Sequence, residues 1–180
     1  MSELRTNRII PRDGLPSGAS GGIIQTVHTF SNTKIETSSD ADIISATITP
    51  STLSSKILFM YNGNVAQESN EGREWGFIAY RDSTQIRLGR NESSNSRTTF
   101  QAFGTDNVPA NNNHNGSYTI TGVLVDEPNT TSAVTYKLAI EQFYTSGTTA
   151  IVKIGESGWD GTGIEQVTNG YSLTLMEISG

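Results

Sequence analysis

Residues 125–143, VDEPNTTSAVTYKLAIEQF, decide the fold class of this chain. The stretch begins with a turn-forming cluster around Pro128 and Asn129, because proline cannot donate to a sheet and asparagine tolerates turn geometry. Apolar residues then recur at every second position, at Val134, Tyr136, Leu138 and Ile140. This alternation predicts a β-strand with one buried face.

The rest of the chain repeats this pattern of short strands and polar turns. Further strands are predicted at 23–30, 43–49, 57–61, 75–80, 84–88, 98–103, 118–125, 150–154 and 171–178. The continuous apolar run at 57–61 predicts a central strand buried on both faces, and Asn62-Gly63 predicts a turn after it. With roughly ten strands, no long helix and no fixed-period repeat, the sequence predicts an all-β sandwich or barrel.

The composition fits one β-rich domain of ordinary size. The chain has 180 residues, of which 34% are hydrophobic and 17% charged, and 18 are glycine. Its net charge of -6 excludes a basic nucleic-acid-binding surface. The absence of cysteine excludes disulfides and thiolate metal sites. No apolar run approaches the ~18 residues of a membrane span, so membrane insertion is not expected.

Residues 1–22 are predicted to form an extended N-terminal arm, followed by a β domain at 23–180. The run SGASGG at 17–22 predicts a flexible joint between the two. The formal charge is +1 in the arm and -7 in the remainder. A weakly basic arm is a candidate docking element, although a solvated tail is the other interpretation. The candidate docking residues are Arg5, Arg8, Ile9, Ile10 and Arg12.

Several segments, taken in order, resemble one family. They are LRTNRIIPRDGLPSGASGGIIQ at 4–25, SSKIL at 54–58, RDSTQI at 81–86, VDEPNTTSAVTYKL at 125–138 and SLTLMEIS at 172–179. In this order they are similar to tail-fibre-type proteins of bacteriophages, especially those of aquatic hosts. The resemblance implies an antiparallel jelly-roll domain that is made in the host bacterial cytoplasm. It also implies assembly as a homotrimer on the virion, attachment to other virion proteins through the arm, and recognition of a host surface glycan.

Polar loops supply the candidate receptor contacts. The segment 89–117 is long and polar, and such loops in compact domains are usually functional or mobile. Side-chain amides hydrogen-bond to sugar hydroxyls, and the indole of Trp159 offers a flat apolar face, although a core position is the other interpretation of Trp159. Trp75 lies on a predicted strand and belongs to the core or to a trimer interface. The candidate receptor contacts are Arg97, Asn112, Asn113, His114 and Trp159.

The sequence shows no catalytic or metal-binding motif. His28 and His114 are the only histidines, and both are interpreted as ordinary polar residues, not as members of a catalytic triad or a zinc site. The acid pairs are Asp126 with Glu127 and Glu156 with Asp160. Glycoside cleavage needs two acids about 5–9.5 Å apart, whereas neighbouring acids in turns are usually capping or solvated groups. We therefore predict a protein that is not an enzyme and has no cofactor.

The leading prediction from the sequence is a non-enzymatic virion fibre component that acts as a trimeric adhesin. Two alternatives stay open. One is a structural capsid decoration or head-fibre protein without receptor binding, and the other is a glycan-degrading hydrolase of the tailspike type. The position on the virion, tail or head, is not predicted.

Overall fold

A computed structural model describes residues 22–68, 74–86, 101–104, 116–142, 151–155 and 170–180. These residues contain no helix and form antiparallel β-strands joined by turns. The strands are β1 (Ile23–Ser31), β2 (Ile35–Thr37), β3 (Ala41–Ile48), β4 (Lys56–Glu68), β5 (Glu74–Arg81), β6 (Thr84–Gln85), β7 (Gln101–Gly104), β8 (Gly116–Asp126), β9 (Val134–Gln142), β10 (Ile151–Ile154) and β11 (Tyr171–Ile178).

Strand β4 is the centre of the first sheet, sheet A. β8 pairs along one edge of β4 over its whole length, from Ile57 opposite Asp126 to Gln67 opposite Gly116. The other edge of β4 is shared by β11 and β10, which lie end to end. β1 pairs with β11, and β2 pairs with β10. Sheet A therefore has four strand positions in the order β1/β2, β11/β10, β4 and β8.

Sheet B has the same construction around β5. β9 covers one edge of β5, while β6 and β7 share the other edge. β3 pairs with the free edge of β9, with a bulge between Asp42 and Ile44. The order of strand positions in sheet B is therefore β3, β9, β5 and β6/β7.

The two sheets form a jelly roll. When the strand positions are numbered along the chain, their order is 1-8-3-6 in sheet A and 2-7-4-5 in sheet B. Consecutive positions thus alternate between the sheets except for 4 and 5, which pair as neighbours in sheet B, and this is the arrangement of two interleaved Greek keys. The all-β, antiparallel jelly-roll sandwich predicted from the sequence is confirmed.

The core lies between the sheets and is filled by alternate residues of each strand. The ring centroids of Phe59 and Tyr136 are 6.5 Å apart, and those of Tyr61 and Phe77 are 6.1 Å apart, so aromatic contacts join the sheets. Trp75 is fully buried, which places it in the core. The predicted buried face of the 134–140 strand is confirmed, since each of its apolar members is buried: Val134, Tyr136, Leu138 and Ile140.

Strand β4 differs from the sequence prediction in two ways. Asn62 and Gly63 are not in a turn, because both lie inside a 13-residue strand and pair with β8. The run 57–61 is not buried on both faces either, since Leu58 and Met60 are only half-buried on the outer side of sheet A. Gly63 is instead required for packing, because the ring of Tyr61 lies where a Cβ would stand.

The two ends of the sandwich carry different connections. At one end, the termini end, lie Gly22, Gly180 and the links 49–55, 82–83 and 127–133. A hydrogen bond of 3.0 Å from the Ser179 N–H to the Gly22 carbonyl joins the two terminal strands there. At the opposite end, the loop end, lie the link 38–40 and the described residues that flank 69–73, 105–115 and 143–150.

We expect Gly63→Ala to destabilise the domain. A Cβ on Gly63 would lie 2.7 Å from the Cβ of Tyr171 and would also clash with the Tyr61 hydroxyl. Overpacking of this kind costs about 1–3 kcal/mol, which urea denaturation measures as a lower free energy of unfolding. Gly22→Ala is the control, because nothing lies within 4 Å of a Cβ there. Equal stability of the Gly63 variant and the wild type would contradict this account of the packing.

Candidate functional site

Exposed apolar side chains concentrate on the outer face of sheet A. Apart from Leu53, every large hydrophobic residue that is exposed in the described part of the chain belongs to β1 or β8. Phe30 is 62% exposed, Val123 58% and Val125 51%. This exposure arises because successive side chains of a strand point to opposite faces. On β8 the inward side chains fill the core, whereas no layer of described residues covers the outward ones.

The strand register brings these side chains together. Met176, Leu58 and Val125 form one row across β11, β4 and β8, and Thr174, Met60 and Val123 form the next row. Neighbouring strands lie about 4.8 Å apart, so the apolar members of these rows touch one another. A bulge in β1 adds two isoleucines beside Ile178 at the termini end. We call this set the apolar patch: Ile23, Ile24, Leu58, Met60, Val123, Val125, Met176 and Ile178.

A row of polar side chains borders the apolar patch on the side nearer the loop end. Ser172, Asn62 and Thr121 align across β11, β4 and β8, and Phe30 stands opposite Ser172. The ring of Phe30 lies over Gly170, where a Cβ would clash with it. Within the described residues, the side chains of Ser172, Asn62 and Thr121 make no hydrogen bond, so their donors and acceptors are available. We call Ser172, Asn62 and Thr121, together with Phe30 at the end of their row, the polar row.

Ser172, Asn62 and Thr121 of the polar row line an open depression of about 550 Å³. Met60, Val123 and Thr174 line it on the side of the apolar patch. The rows that run through Leu58, Met60 and Asn62 contain no Asp, Glu, Lys or Arg. The depression can therefore offer neutral hydrogen bonds beside apolar surface, which suits an uncharged, hydroxyl-rich ligand.

The outer face of sheet B is charged by contrast. Lys137 Nζ lies 2.8 Å from Asp42 Oδ1 and 5.1 Å from the ring centroid of Tyr80. The Tyr80 hydroxyl donates a hydrogen bond to Glu141. Burial, together with this bond, raises the pKa of Tyr80 to about 12, so its hydroxyl stays a donor at neutral pH. The charges on this face satisfy one another.

The acid pair Asp126 and Glu127 does not face a common cleft. Asp126 accepts hydrogen bonds of 2.9 Å from Arg81 Nη1 and 2.7 Å from the Tyr136 hydroxyl, and so joins sheet A to sheet B. Glu127 Oε1 forms an exposed ion pair of 2.8 Å with Lys56, and its hydrogen bond to that ammonium lowers the pKa of Glu127. Both carboxylates therefore have structural partners.

Glu177 is a buried carboxylate that the sequence interpretation missed. It accepts hydrogen bonds from the Ser51 N–H at 2.7 Å, from the Ser51 and Ser55 hydroxyls at 2.6 Å, and from Gln25 Nε2 at 2.5 Å. Burial alone would raise the pKa of Glu177, but these hydrogen bonds outweigh it and lower the pKa to about 2. The only sequence signal is an acid at an inward position of the last strand.

We expect Glu177→Gln to lower the free energy of unfolding by about 2–3 kcal/mol at neutral pH. Because the folded pKa lies below the ordinary 4.5, this stabilisation is complete above pH 4.5 and is lost as the pH falls towards 2. The difference between wild type and variant in urea denaturation should therefore shrink in acid.

Asp42→Asn is the control for this prediction. The Asp42 side chain is 64% exposed in its ion pair with Lys137, so the change should cost less than about 1 kcal/mol. A Glu177 variant as stable as the Asp42 variant at neutral pH would show that the buried hydrogen bonds contribute little.

The remaining sequence candidates divide into one described residue and a larger group. His28 lies on the outer face of sheet A, with its Nδ1 2.9 Å from the Thr174 hydroxyl, as an ordinary polar strand residue. The other candidates lie outside the described residues: Arg5, Arg8, Ile9, Ile10, Arg12, Arg97, Asn112, Asn113, His114, Glu156, Trp159 and Asp160.

The described residues still fix where two of these segments attach. Segment 105–115, with Asn112 to His114, leaves from Gly104 and returns at Gly116, both at the loop end. Segment 156–169, with Trp159, leaves from Gly155 and returns at Gly170. Gly155 donates a 3.1 Å hydrogen bond to the Asn64 carbonyl, and Gly170 contacts Phe30, so both attachment points border the polar row.

The comparisons with known proteins add no relative. No protein-family model matches the chain, and no curated protein matches it significantly. In the ranges that the structure describes, no helix is long and apolar enough to cross a membrane. The same ranges contain no group of three or more histidine, cysteine or carboxylate side chains that could hold a metal ion.

Proposed function

We propose that this protein is a bacteriophage virion fibre component, a trimeric and non-enzymatic adhesin that recognises a glycan on the host cell surface. The observation that carries the proposal is the polarity of the jelly roll. The arm joins the body at Gly22 at the termini end, while segment 105–115 is attached at the loop end. An arm bound to the particle would therefore leave the loop end facing the host.

The strand arrangement also suits transmission of tension. β1 pairs with β11 from Ile23 to Ser31, and the arm continues directly from the first residue of β1. Tension between an anchored arm and a receptor at the loop end runs parallel to these strands. It therefore loads the hydrogen bonds between β1 and β11 together instead of one after another, which makes the attachment resistant to force.

The polar row supports a glycan as the ligand. Amide and hydroxyl groups on neighbouring strands match the spaced hydroxyls of a sugar, and the exposed ring of Phe30 offers an apolar surface at the end of the row. Trp159 belongs to the segment attached beside this row at Gly155 and Gly170. Three copies in a trimer would present three such sites, and their avidity would compensate for weak single contacts.

The proposed role also indicates where the protein is made and which partners it contacts. It is made in the host bacterial cytoplasm and incorporated into the virion through the arm, where Arg5, Arg8, Ile9, Ile10 and Arg12 contact other virion proteins. Its partners are then two further copies of itself, the particle and the host surface. No cofactor takes part.

Deleting residues 1–21 should leave the body folded but absent from particles. Gly22 is kept, because its carbonyl accepts the hydrogen bond from Ser179. Circular dichroism and urea denaturation of the isolated protein, with immunoblots of purified particles, measure the two effects. A truncated chain that fails to fold would show that the arm belongs to the body, and one that is still incorporated would show that docking uses another surface.

Asn62→Ala and Phe30→Ala should each weaken adsorption of the labelled protein to host cells by about fivefold to tenfold, without lowering thermal stability. Both side chains stand on the outer face of sheet A, so neither contributes to the core. Ser45→Ala on the exposed outer face of sheet B is the matched control. Unchanged adsorption of both variants would remove the polar row from the receptor site.

Gold-labelled antibody on whole particles separates the proposal from its alternatives. We expect label on a fibre, together with adsorption of the isolated protein to cells. Label on the capsid without adsorption would favour a structural decoration. Release of sugar fragments from host polysaccharide would instead favour a hydrolase.

A further inference from the structure

We infer that copies of this chain associate through the apolar patch on the outer face of sheet A. This deepens the proposed function, because it names the surface by which each protomer meets its partner. It rests on that proposal only for the number of copies, three. The location of the contact rests on burial, charge and the position of the exposed side chains.

The first argument is the size and composition of the face. The patch spans four strand positions and about five residues along them, which is roughly 300 Å² in projection, and the polar row beside it lies outside the contact. This area is comparable with the largest apolar patch of a typical soluble protein, and such patches are often functional. The apolar centre, with the Lys56–Glu127 ion pair at its border on the termini end, matches an interface whose core is depleted of charge and whose rim is polar.

The charge distribution favours a second copy of the chain as the partner of this face. Every copy carries a net charge of -6, so two copies repel wherever acidic surfaces meet. The three rows on sheet A contain no Asp, Glu, Lys or Arg, and therefore bring no like charges together. The outer face of sheet B presents Asp42 and Glu141 and lacks this property. A strongly basic partner would find no complementary charge in these three rows, whereas a second copy meets equally neutral rows there.

The positions of the most exposed apolar side chains favour a head-to-tail contact. Apart from Leu53 in the link 49–55, the most exposed apolar residues of the described chain lie on the two edge strands, with Ile23 and Ile24 on β1 and Val123 and Val125 on β8. Leu58, on the central strand, is only half-buried. When outer faces meet around a three-fold axis, the β1 side of one protomer packs against the β8 side of the next. Such a head-to-tail contact closes as a ring and covers both exposed edges.

Size-exclusion chromatography with light scattering tests the inference on the full chain at micromolar concentration. The wild type should show the mass of three chains. The Val123→Glu/Val125→Glu double variant on β8 and the Met176→Glu variant on β11 should each show the mass of one chain, because each repeats like charges around the axis. Ser45→Glu on sheet B is the control and should remain three chains. Circular dichroism and thermal melting verify that each variant is folded.

A milder variant guards against misfolding. Val123→Thr/Val125→Thr keeps β-branched side chains and should raise the concentration at which the complex dissociates at least about tenfold, since apolar area is lost.

The opposing outcomes are distinct. A wild type of one chain overturns the inference, and a trimeric wild type with trimeric glutamate variants moves the contact to another surface. If Val123→Glu/Val125→Glu dissociates and Met176→Glu does not, the copies associate through the edge strand β8 and not through the face of sheet A. Normal trimers that fail to adsorb to cells would contradict the proposed receptor role while leaving this interface intact.

Discussion

The pairing of β4 on both of its edges constrains the rest of the structure. Because β8 takes one edge along the whole strand, β10 and β11 share the other, and sheet A can face the core on one side only. The inward residues of β4 fill that core, as Phe59 does. Its outward residues Leu58 and Met60 are also apolar, and no strand of the described chain covers them. Strand β4 is apolar on both faces, but the sandwich covers only its inner face. The apolar patch is the consequence.

Hydrogen bonds to two carboxylates stabilise the termini end. Glu177 accepts them from Gln25 on β1 and from the link 49–55, and Asp126 accepts them from Arg81 and Tyr136 of the other sheet. These contacts at the termini end suit the proposed attachment through the N-terminal arm. Changes at the opposite end, where segment 105–115 is attached, would then leave that attachment undisturbed.

The sequence was sufficient for the elements whose patterns are local. The alternation at 134–140 predicted the strand and its buried face correctly, because a period of two has one interpretation in a half-buried sheet, and the strand at 171–178 was also predicted correctly. It could not show that Asn62-Gly63 stays in a strand, since pairing with β8 overrides a local turn preference. Nor could it identify Glu177, whose partners Ser55 and Gln25 lie 122 and 152 residues away in the chain. Among the candidate contacts, Trp159 and the asparagine run lie outside the described residues. The polar row could not be predicted, because the strand register brings its members together from distant parts of the chain.

We infer that further copies of the same chain cover the apolar patch on the outer face of sheet A. The most direct measurement is the oxidation rate of Met60 and Met176 by dilute peroxide, followed by mass spectrometry over a range of protein concentrations, with free methionine as the internal reference. Both side chains point outward on sheet A and are only half-buried in the single chain. If copies associate through this face, both methionines should become protected together as the concentration rises. Oxidation rates that stay constant over the concentrations at which the mass rises from one chain to three would contradict this interface.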